Sequence, residues 1–252
     1  MRKRSLIIAA LLGVISGSAM AADLGPAPIY KAQPAPEVFY WSGCYVGVEG
    51  GYAWGRTKDT AVTGANPGRD INSGFNLNGG IAGGTLGCNY QTANLVLGLE
   101  TDLSWTDKKG QAFDIPPFGA GAFSQRSESW IDTVRARGGF AWNRTYLYGT
   151  AGAAGAKIGI TVCTADSFCV SDSATKWGWT VGGGIEWAFW ANWSFRAEYL
   201  HADFGTIKFI NPSVVSPAGN TIVTRNVPVT DDLFRVGLNY RLGWGGPVVA
   251  RY

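Results

Sequence analysis

Apolar and polar residues alternate along several short segments of the chain, as they do on β-strands that separate two environments. In the segment 95–105, leucines recur at odd-numbered positions, and Glu100 and Asp102 stand between them. Successive side chains of a strand point to opposite faces, so one face of this strand is apolar and the other is charged. Similar alternation predicts further strands at 46–54, 75–90, 130–142, 146–160, 177–189, 193–199 and 234–242.

The segment 75–90 changes phase midway, because its polar residues move from even-numbered to odd-numbered positions. A β-bulge inserts one extra residue into a strand and produces such a shift. We therefore expect a bulge at Gly79-Gly80 or at Gly83-Gly84.

The connections between these segments alternate between short and long. Tight turns are predicted at 91–94, 143–145 and 191–192, and long polar loops at 56–73, 108–129, 161–175 and 205–231. Short periplasmic turns and long extracellular loops alternate in this way in outer-membrane barrels. The pattern therefore predicts an all-β fold, an eight-stranded antiparallel transmembrane β-barrel, rather than a soluble β-sandwich.

Tryptophan is abundant, with 11 residues in the chain, and it collects at the predicted strand ends. Bilayer interfaces select aromatic side chains at headgroup depth. We expect two aromatic girdles, one at the loop ends (Trp54, Trp105, Trp130, Trp177 and Trp179) and one at the turn ends (Trp41, Trp142, Trp187, Trp190 and Trp193).

The first residues predict export to the periplasm. Met1 to Arg4 is basic, Leu6 to Ile15 is apolar, and the small residues that follow resemble a cleavage site. The apolar run is too short to span a bilayer, which takes about 20 apolar residues. We predict a signal peptide at 1–21, cleaved between Ala21 and Ala22, then a Pro-rich periplasmic linker at 22–40 and the barrel at 41–252.

The net charge of the mature chain limits the partners that we expect. The full chain carries 21 basic and 18 acidic residues. Arg2, Lys3 and Arg4 belong to the predicted signal peptide, so the mature chain has 18 of each and is formally neutral. A basic surface is therefore not indicated, and we expect no nucleic-acid partner.

The charged residues that alternate with the apolar ones face the predicted barrel interior. An eight-stranded barrel is only just wide enough inside for side chains to fill it, and a buried ion needs a partner. We expect an ion-pair plug made by Glu49, Glu100, Asp102, Arg135, Arg137, Lys157, Glu186, Arg196, Glu198 and Arg235. A narrow polar path that passes ions or small solutes is the alternative.

Catalytic and cofactor chemistry finds little support in the chain. His201 is the only histidine, and no Ser or Asp spacing around it supports a triad. Glu100 and Asp102 resemble an acid/base pair, but plug residues opposite arginines are the better interpretation. The Gly-rich stretch 149–159 contains Lys157 but lacks the Gly-Lys-Ser/Thr order of a phosphate loop. Cys and His do not cluster at metal-ligand spacings, and one histidine gives poor support for a haem-binding barrel. We expect no enzyme, metal or cofactor.

Four cysteines occur in the chain, and the periplasm is oxidising. Cys163 and Cys169 lie in one predicted loop and favour a disulfide that staples it. Cys44 begins the first strand and Cys88 ends the second, so antiparallel pairing places both near the periplasmic rim. Either a cross-strand disulfide or two free buried thiols would fit there.

Several motifs resemble those of a known family. Residues 41–47 read W-S-G-C-Y-V-G, residues 50–52 read G-G-Y and residues 87–91 read G-C-N-Y-Q. E-Y-L and D-F-G follow within 198–205, and V-G-L-N-Y stands at 236–240. Together these motifs are similar to those of the alphaproteobacterial outer-membrane immunogenic (surface antigen) proteins, which are porin-like, OmpA-type small barrels. The similarity covers nearly the whole mature chain.

The resemblance implies a surface-exposed barrel that supports envelope integrity and external contacts, with no catalytic residues to carry over. We expect it to contact outer-membrane lipid and lipopolysaccharide, the barrel assembly machinery during insertion, and host or environmental ligands at the loops. Cys44 and Cys88 both depart from the aromatic residue usual in the family, and a joint departure fits a bond between them. Tyr252 resembles the aromatic C-terminal residue that the assembly machinery reads.

Overall fold

The computed structural model describes residues 39–119 and 121–243, most of which lie in β-strands. The predicted signal peptide with its cleavage site, most of the linker, and Tyr252 lie outside these residues. The long strands are β1 (Gly43–Thr57), β3 (Phe75–Thr92), β4 (Leu95–Thr106), β6 (Phe123–Trp142), β7 (Thr145–Cys163), β8 (Cys169–Ala188), β9 (Trp193–Phe209) and β12 (Arg225–Arg241). Short strands are β2 (Thr60–Ala61), β5 (Lys109–Phe113), β10 (Val214–Val215) and β11 (Thr221–Ile222). Within the described ranges, no helix is long and apolar enough to cross a membrane.

The long strands close into a ring. Each pairs antiparallel with the next long strand along the chain, and β1 pairs with both β3 and β12. Val48 on β1, for example, stands opposite Gly84 of β3 on one side and Leu238 of β12 on the other. The prediction of an eight-stranded antiparallel barrel is confirmed.

Alternation separates the two faces of this wall. Val48, Leu99 and Phe234 are exposed on the outside, whereas Tyr45 and Arg135 are buried inside. The outward apolar belt is the surface that lipid covers, since a barrel in water would bury these side chains. Tight turns join the strands at one end and long loops at the other, and these ends are called periplasmic and extracellular after the expectation for outer-membrane barrels.

The segment 75–90 contains no bulge, so that prediction was wrong. β3 pairs with β1 in continuous register from Phe75 to Asn89, and odd-numbered side chains face inward throughout. Asn76 and Asn78 are exposed because they point outward above the lipid belt, where the outer face is polar. A change of surroundings, rather than a change of register, explains the pattern.

Register shifts occur at two other places in the wall. One lies in β6 between Glu128 and Ile131, and the other lies opposite Val229 and Thr230 of β12. In the second, Phe204 is the extra residue of β9, and Gly205 after it adopts a left-handed conformation with φ of 69°. Above this bulge, β8 and β9 are no longer paired.

The strands extend far into the segments that were predicted to be loops. β7 ends at Cys163 and β8 begins at Cys169, so only 164–168 remain of the loop expected at 161–175. Likewise, β6 begins at Phe123 and β12 at Arg225. Outward side chains are polar there because the wall stands in water above the bilayer, and the hydropathy period that marks a membrane strand is lost.

Candidate functional site

Most of the predicted plug residues meet in the lower half of the barrel. Their strands present them at inward-facing positions, and the four arginines among them are at most 2% exposed. The residues brought together are Glu49 of β1, Glu100 and Asp102 of β4, Arg135 and Arg137 of β6, Glu186 of β8, Arg196 and Glu198 of β9, and Arg235 of β12.

Glu100 lies at the centre of this ion-pair network. Its carboxylate accepts hydrogen bonds from Arg135 Nη2 at 2.6 Å, Arg137 Nη1 at 2.9 Å and Arg196 Nη1 at 2.5 Å. The Tyr45 hydroxyl also donates to it. Three guanidinium groups therefore share one buried carboxylate, which ties β4, β6 and β9 together across the lumen.

Arg235 and Arg135 hold the upper part of the network. Arg235 donates to Glu49 at 2.6 Å, to Asp102 at 2.8 Å and to Glu198 at 2.6 Å. Arg135 reaches Asp102 at 2.8 Å and Glu198 at 3.0 Å. Because Arg196 also donates to Glu49 at 2.6 Å, each of these three carboxylates bridges two cations, the arrangement that a buried charge requires.

Arg137 forms the lower part of the network. It donates to Glu186 at 2.6 Å, and its guanidinium lies 4.1 Å from the ring centroid of Tyr148. Glu186 also accepts hydrogen bonds from Ser194 at 2.5 Å and from Asn239 at 2.9 Å. The ring centroids of Tyr45 and Tyr146 lie 5.6 Å and 5.0 Å from the same guanidinium, so aromatic side chains surround this end of the network.

Lys157 does not join the network, contrary to the prediction. It is exposed on the outer face of β7, whereas its neighbours Ala156 and Ile158 are buried inside. The Gly- and Ala-rich strand offers no contrast between its faces, so alternation assigned this residue to the wrong side. The lumen network therefore holds five carboxylates and four arginines, with a formal net charge of −1.

Trp41 does not belong to an aromatic girdle, also contrary to the prediction. It is 4% exposed and packs against Tyr146, with ring centroids 5.4 Å apart. Its indole N–H donates to the Asn143 carbonyl at 3.3 Å, across the periplasmic opening. Trp41 precedes β1, so the alternation of the strand does not determine its direction. It closes the lower end of the lumen.

The other predicted girdle residues are exposed or half-buried in the described structure, and their arrangement in two girdles stays a prediction. Trp130 is half-buried in the β6 bulge and stands opposite Trp105. The exposed members are Trp54, Trp105, Trp142, Trp177, Trp179, Trp187, Trp190 and Trp193.

Apolar side chains fill the lumen above the ion-pair network. Ile81, Ile131, Leu200 and Leu233 are each at most 5% exposed and belong to one buried cluster. This layer separates the network from the extracellular end of the barrel.

Two further charged clusters lie above the apolar layer, and alternation did not reveal them. Lys108 is 2.9 Å from Glu128 and also pairs with Asp231. These residues fall in or beside segments that were interpreted as loops, so their inward direction was hidden. Polar residues recurring at every second position of a strand are the signal that would have identified these inward-facing charges.

The second upper cluster joins strands and loops at the extracellular end. Arg126 pairs with Asp59 at 2.5 Å, and Arg225 donates to Asp114 at 2.8 Å. Burial raises the pKa of Asp59 above its ordinary value, although the Arg126 guanidinium beside it acts in the opposite direction. These pairs anchor the loops to the wall.

Both cysteine pairs stand directly opposite each other in register and are bonded. Cys44–Cys88 joins β1 to β3 on the outer side of the periplasmic rim. Cys163–Cys169 closes the end of the β7–β8 hairpin. The second bond therefore locks a hairpin rather than a long loop.

His201 lies on the outer wall, not in the lumen. Its Nδ1 is 2.8 Å from Asp232 Oδ1, and the Tyr199 hydroxyl donates to the same oxygen at 2.6 Å. The carboxylate engages one ring nitrogen and the ring centroid of Trp179 lies 5.6 Å from that of the imidazole, so the geometry does not resemble a haem pocket or a triad. Within residues 39–119 and 121–243, His, Cys, Asp and Glu form no group that could hold a metal ion.

Comparison with known proteins agrees with this architecture. The family model of the outer membrane protein beta-barrel domain matches residues 7–241. The 31 kDa outer-membrane immunogenic protein of Brucella melitensis is 32% identical, over 94% of this chain and 99% of its own length. The 25 kDa outer-membrane immunogenic protein of the same organism is 30% identical, over 95% of this chain and 98% of its own length.

Solved structures show the same kind of fold. The outer membrane protease OmpT from Escherichia coli superposes with a TM-score of 0.52 at 11% identity, covering 82% of this chain and 99% of that one. At that identity the likeness concerns the fold alone, and the relatives above are named as immunogenic proteins rather than as enzymes. The chain is an outer-membrane surface protein, and it belongs to the outer membrane protein β-barrel family.

Proposed function

We propose that this protein is a closed, structural barrel that supports envelope integrity and presents its extracellular loops for external contacts. The observation that carries the proposal is the filled lumen. Trp41, the ion-pair network and the apolar layer follow one another along the barrel axis. An eight-stranded barrel has no room for a water-filled path beside such side chains.

Planar-bilayer conductance of the refolded mature chain tests the proposal. Heat-modifiable gel mobility first establishes that the chain has folded. A folded barrel without conductance steps is the expected result, because every layer of the lumen must rearrange before ions pass. Reproducible steps in the parent would overturn the proposal, and their change in Arg135→Ala but not in the lipid-facing Val134→Ala would locate the path in the lumen.

A narrow porin is the competing function, and the net charge of the network predicts which ions it would select. Five carboxylates face four arginines in the lumen, so a path through it would prefer cations. Buried Nε atoms of Arg137 and Arg235 lack hydrogen-bond partners in the described structure and offer places for water. Conductance with cation selectivity would support this function in place of the first.

Outer-membrane lipid and lipopolysaccharide are the proposed partners of the outer wall. Lys109, Lys157 and Lys208 are exposed above the apolar belt, where anionic headgroups lie. A variant with these three lysines changed to Gln should retain less co-purifying lipopolysaccharide, whereas exchanging Lys58, which already pairs with Asp70, should not.

The barrel assembly machinery is the proposed partner during insertion. Until β1 and β12 pair, the sheet has two unpaired edge strands, and the chain needs protection from aggregation before the barrel closes. Depletion of the machinery should leave the chain unfolded in the periplasm; unchanged insertion would remove this partner.

A further inference from the structure

All the extracellular loops meet around a cavity of about 490 Å³ at the outer end of the barrel. Its lining comes from residues 64–66 after β2, from 117–119 after β5, from 164–165 between β7 and β8, and from 219–223 before β12. This volume is in the range of small-molecule sites in proteins. Neither the lumen network nor the closed barrel requires a cavity here.

The floor of the cavity is a fixed, buried ion pair. Arg225 donates to both carboxylate oxygens of Asp114, at 2.8 Å and 3.3 Å, and also to Ser124. Arg225 is only 2% exposed, and its Nε has no hydrogen-bond partner in the described structure. The floor therefore combines planar polar groups with one unused buried donor.

The walls combine an aromatic ring with uncharged polar groups. Phe118 and Val223 belong to one apolar cluster, and both line the cavity. Asn66, Thr164 and Asn220 add amide and hydroxyl groups, and Asn220 is held in place by Asp166 at 3.0 Å. Among the described residues of the lining, Asp114 and Arg225 alone are charged, and they neutralise each other.

This lining favours an uncharged, hydroxyl-rich ligand. Because the ion pair is neutral, it favours neither an anion nor a cation. A hydroxyl group both donates and accepts hydrogen bonds, and it suits a floor that offers a guanidinium donor beside a carboxylate acceptor. Planar carboxylate, guanidinium and amide groups pair with neighbouring hydroxyls, and an aromatic ring packs against the C–H face of a sugar.

We propose that the loop cavity binds an uncharged saccharide of one or two rings, with Arg225, Asp114, Asn66 and Asn220 as polar contacts and Phe118 as the apolar one. The inference deepens the external contact of the proposed function by naming its site and ligand class. It does not depend on the lumen, because the apolar layer and the Lys108 cluster lie between them.

Saturation-transfer difference NMR on the refolded barrel tests the site. The probes are the methyl glycosides of glucose, galactose, mannose and N-acetylglucosamine at millimolar concentration, in a zwitterionic detergent without a sugar headgroup. Ala165→Trp fills the cavity from its lining, and Val215→Trp adds the same ring at an exposed position outside it. Heat-modifiable mobility shows that each variant has folded.

Saturation transfer to at least one glycoside, lost in Ala165→Trp and kept in Val215→Trp, is the expected result. Absence of transfer to every glycoside in the parent, or transfer that survives in Ala165→Trp, would overturn the inference. If no glycoside binds and the barrel does not conduct, the saccharide site is ruled out and the closed-barrel function stands. If a glycoside binds and the barrel conducts, the closed-barrel function is ruled out and the saccharide site stands.

Discussion

Leu99 and Gly98 are neighbours on β4 that face opposite sides of the barrel wall. Leu99 is 68% exposed on the outside, whereas a Cβ atom at Gly98 would lie 3.2 Å from Arg137 Cγ inside the lumen. Leu99→Arg places a cation near the bilayer midplane, and we expect insertion to weaken by about 2–4 kcal/mol. The folded fraction after refolding into vesicles measures this effect.

Leu99→Ala is the matched control, since it keeps the outer face apolar and should insert like the parent. If Leu99→Arg inserts equally well, the outer face of β4 does not meet lipid.

Arg135 and Lys157 are two cations with opposite surroundings. Arg135 is fully buried between Glu100, Asp102 and Glu198, whereas Lys157 is exposed on the outer wall. Arg135→Met removes one of the cations that these three buried carboxylates share and leaves five lumen carboxylates facing three arginines, so we expect the free energy of unfolding to fall by about 3–5 kcal/mol. Lys157→Met removes the same charge and should change it by less than about 1 kcal/mol. Denaturant unfolding in micelles compares the two, and equal effects would contradict the placement of Lys157.

Alternation predicts the direction of a residue only where its neighbours differ in polarity. Glu100 and Asp102 were placed inside because leucines flank them, and the structure joins both to Arg135. Lys157 stands among Gly and Ala, which suit either face, so nothing local determined its side. Trp41 lies before its strand begins, where the period of two has no meaning.

The alternation pattern predicted the presence of each long strand but underestimated its length. The outer half of β7 and β8 has water on one face and packed side chains on the other, and Ser, Thr and Asp populate it. Polar outer faces look like loops, so the inward Val162 was assigned to a loop. Ile158 and Ile160 lay inside a predicted strand, but placing Lys157 inside turned them outward. The upper clusters around Lys108 and Arg126 were hidden for the same reason.

The two disulfides constrain their elements unequally. Cys44–Cys88 closes 44 positions of chain and Cys163–Cys169 closes 6. Since the entropy removed from the unfolded chain grows with loop length, we expect replacing Cys44 and Cys88 by Ser to cost about 2 kcal/mol more than replacing Cys163 and Cys169. Guanidinium unfolding of both double variants measures the difference, and the fully reduced parent should be less stable than either. A larger loss in the Cys163/Cys169 variant would contradict this order.

Closure of the whole molecule produces contacts that no local pattern contains. Arg235 and Glu49 are 186 positions apart, yet they pair at 2.6 Å because β12 returns to β1. The number of strands and the alternation of turns and loops were enough to predict the ring. The partners of each charge depend on the stagger of all eight strands and required the structure.

Orientation in the envelope is a property of the whole molecule that labelling tests directly. Ala218 is exposed in the last long loop, and Asn94 is exposed in a tight turn at the other end. In intact cells, a membrane-impermeant maleimide should react with Ala218→Cys and not with Asn94→Cys, because only the loops face outward. Permeabilising the outer membrane should make Asn94→Cys reactive. Labelling of Asn94→Cys but not of Ala218→Cys in intact cells would show the opposite orientation.

The extended upper wall also determines what an antibody would meet on the cell surface. At about 3.3 Å a residue and a tilt of about 40°, the stretch from Lys157 to Cys163 raises the hairpin tip about 15 Å above the aromatic girdle. The tips carry parts of several loops joined through Arg126 and Arg225. An epitope on these joined loop tips is discontinuous, so antibodies raised against the folded barrel should fail to recognise peptides cut from any single loop.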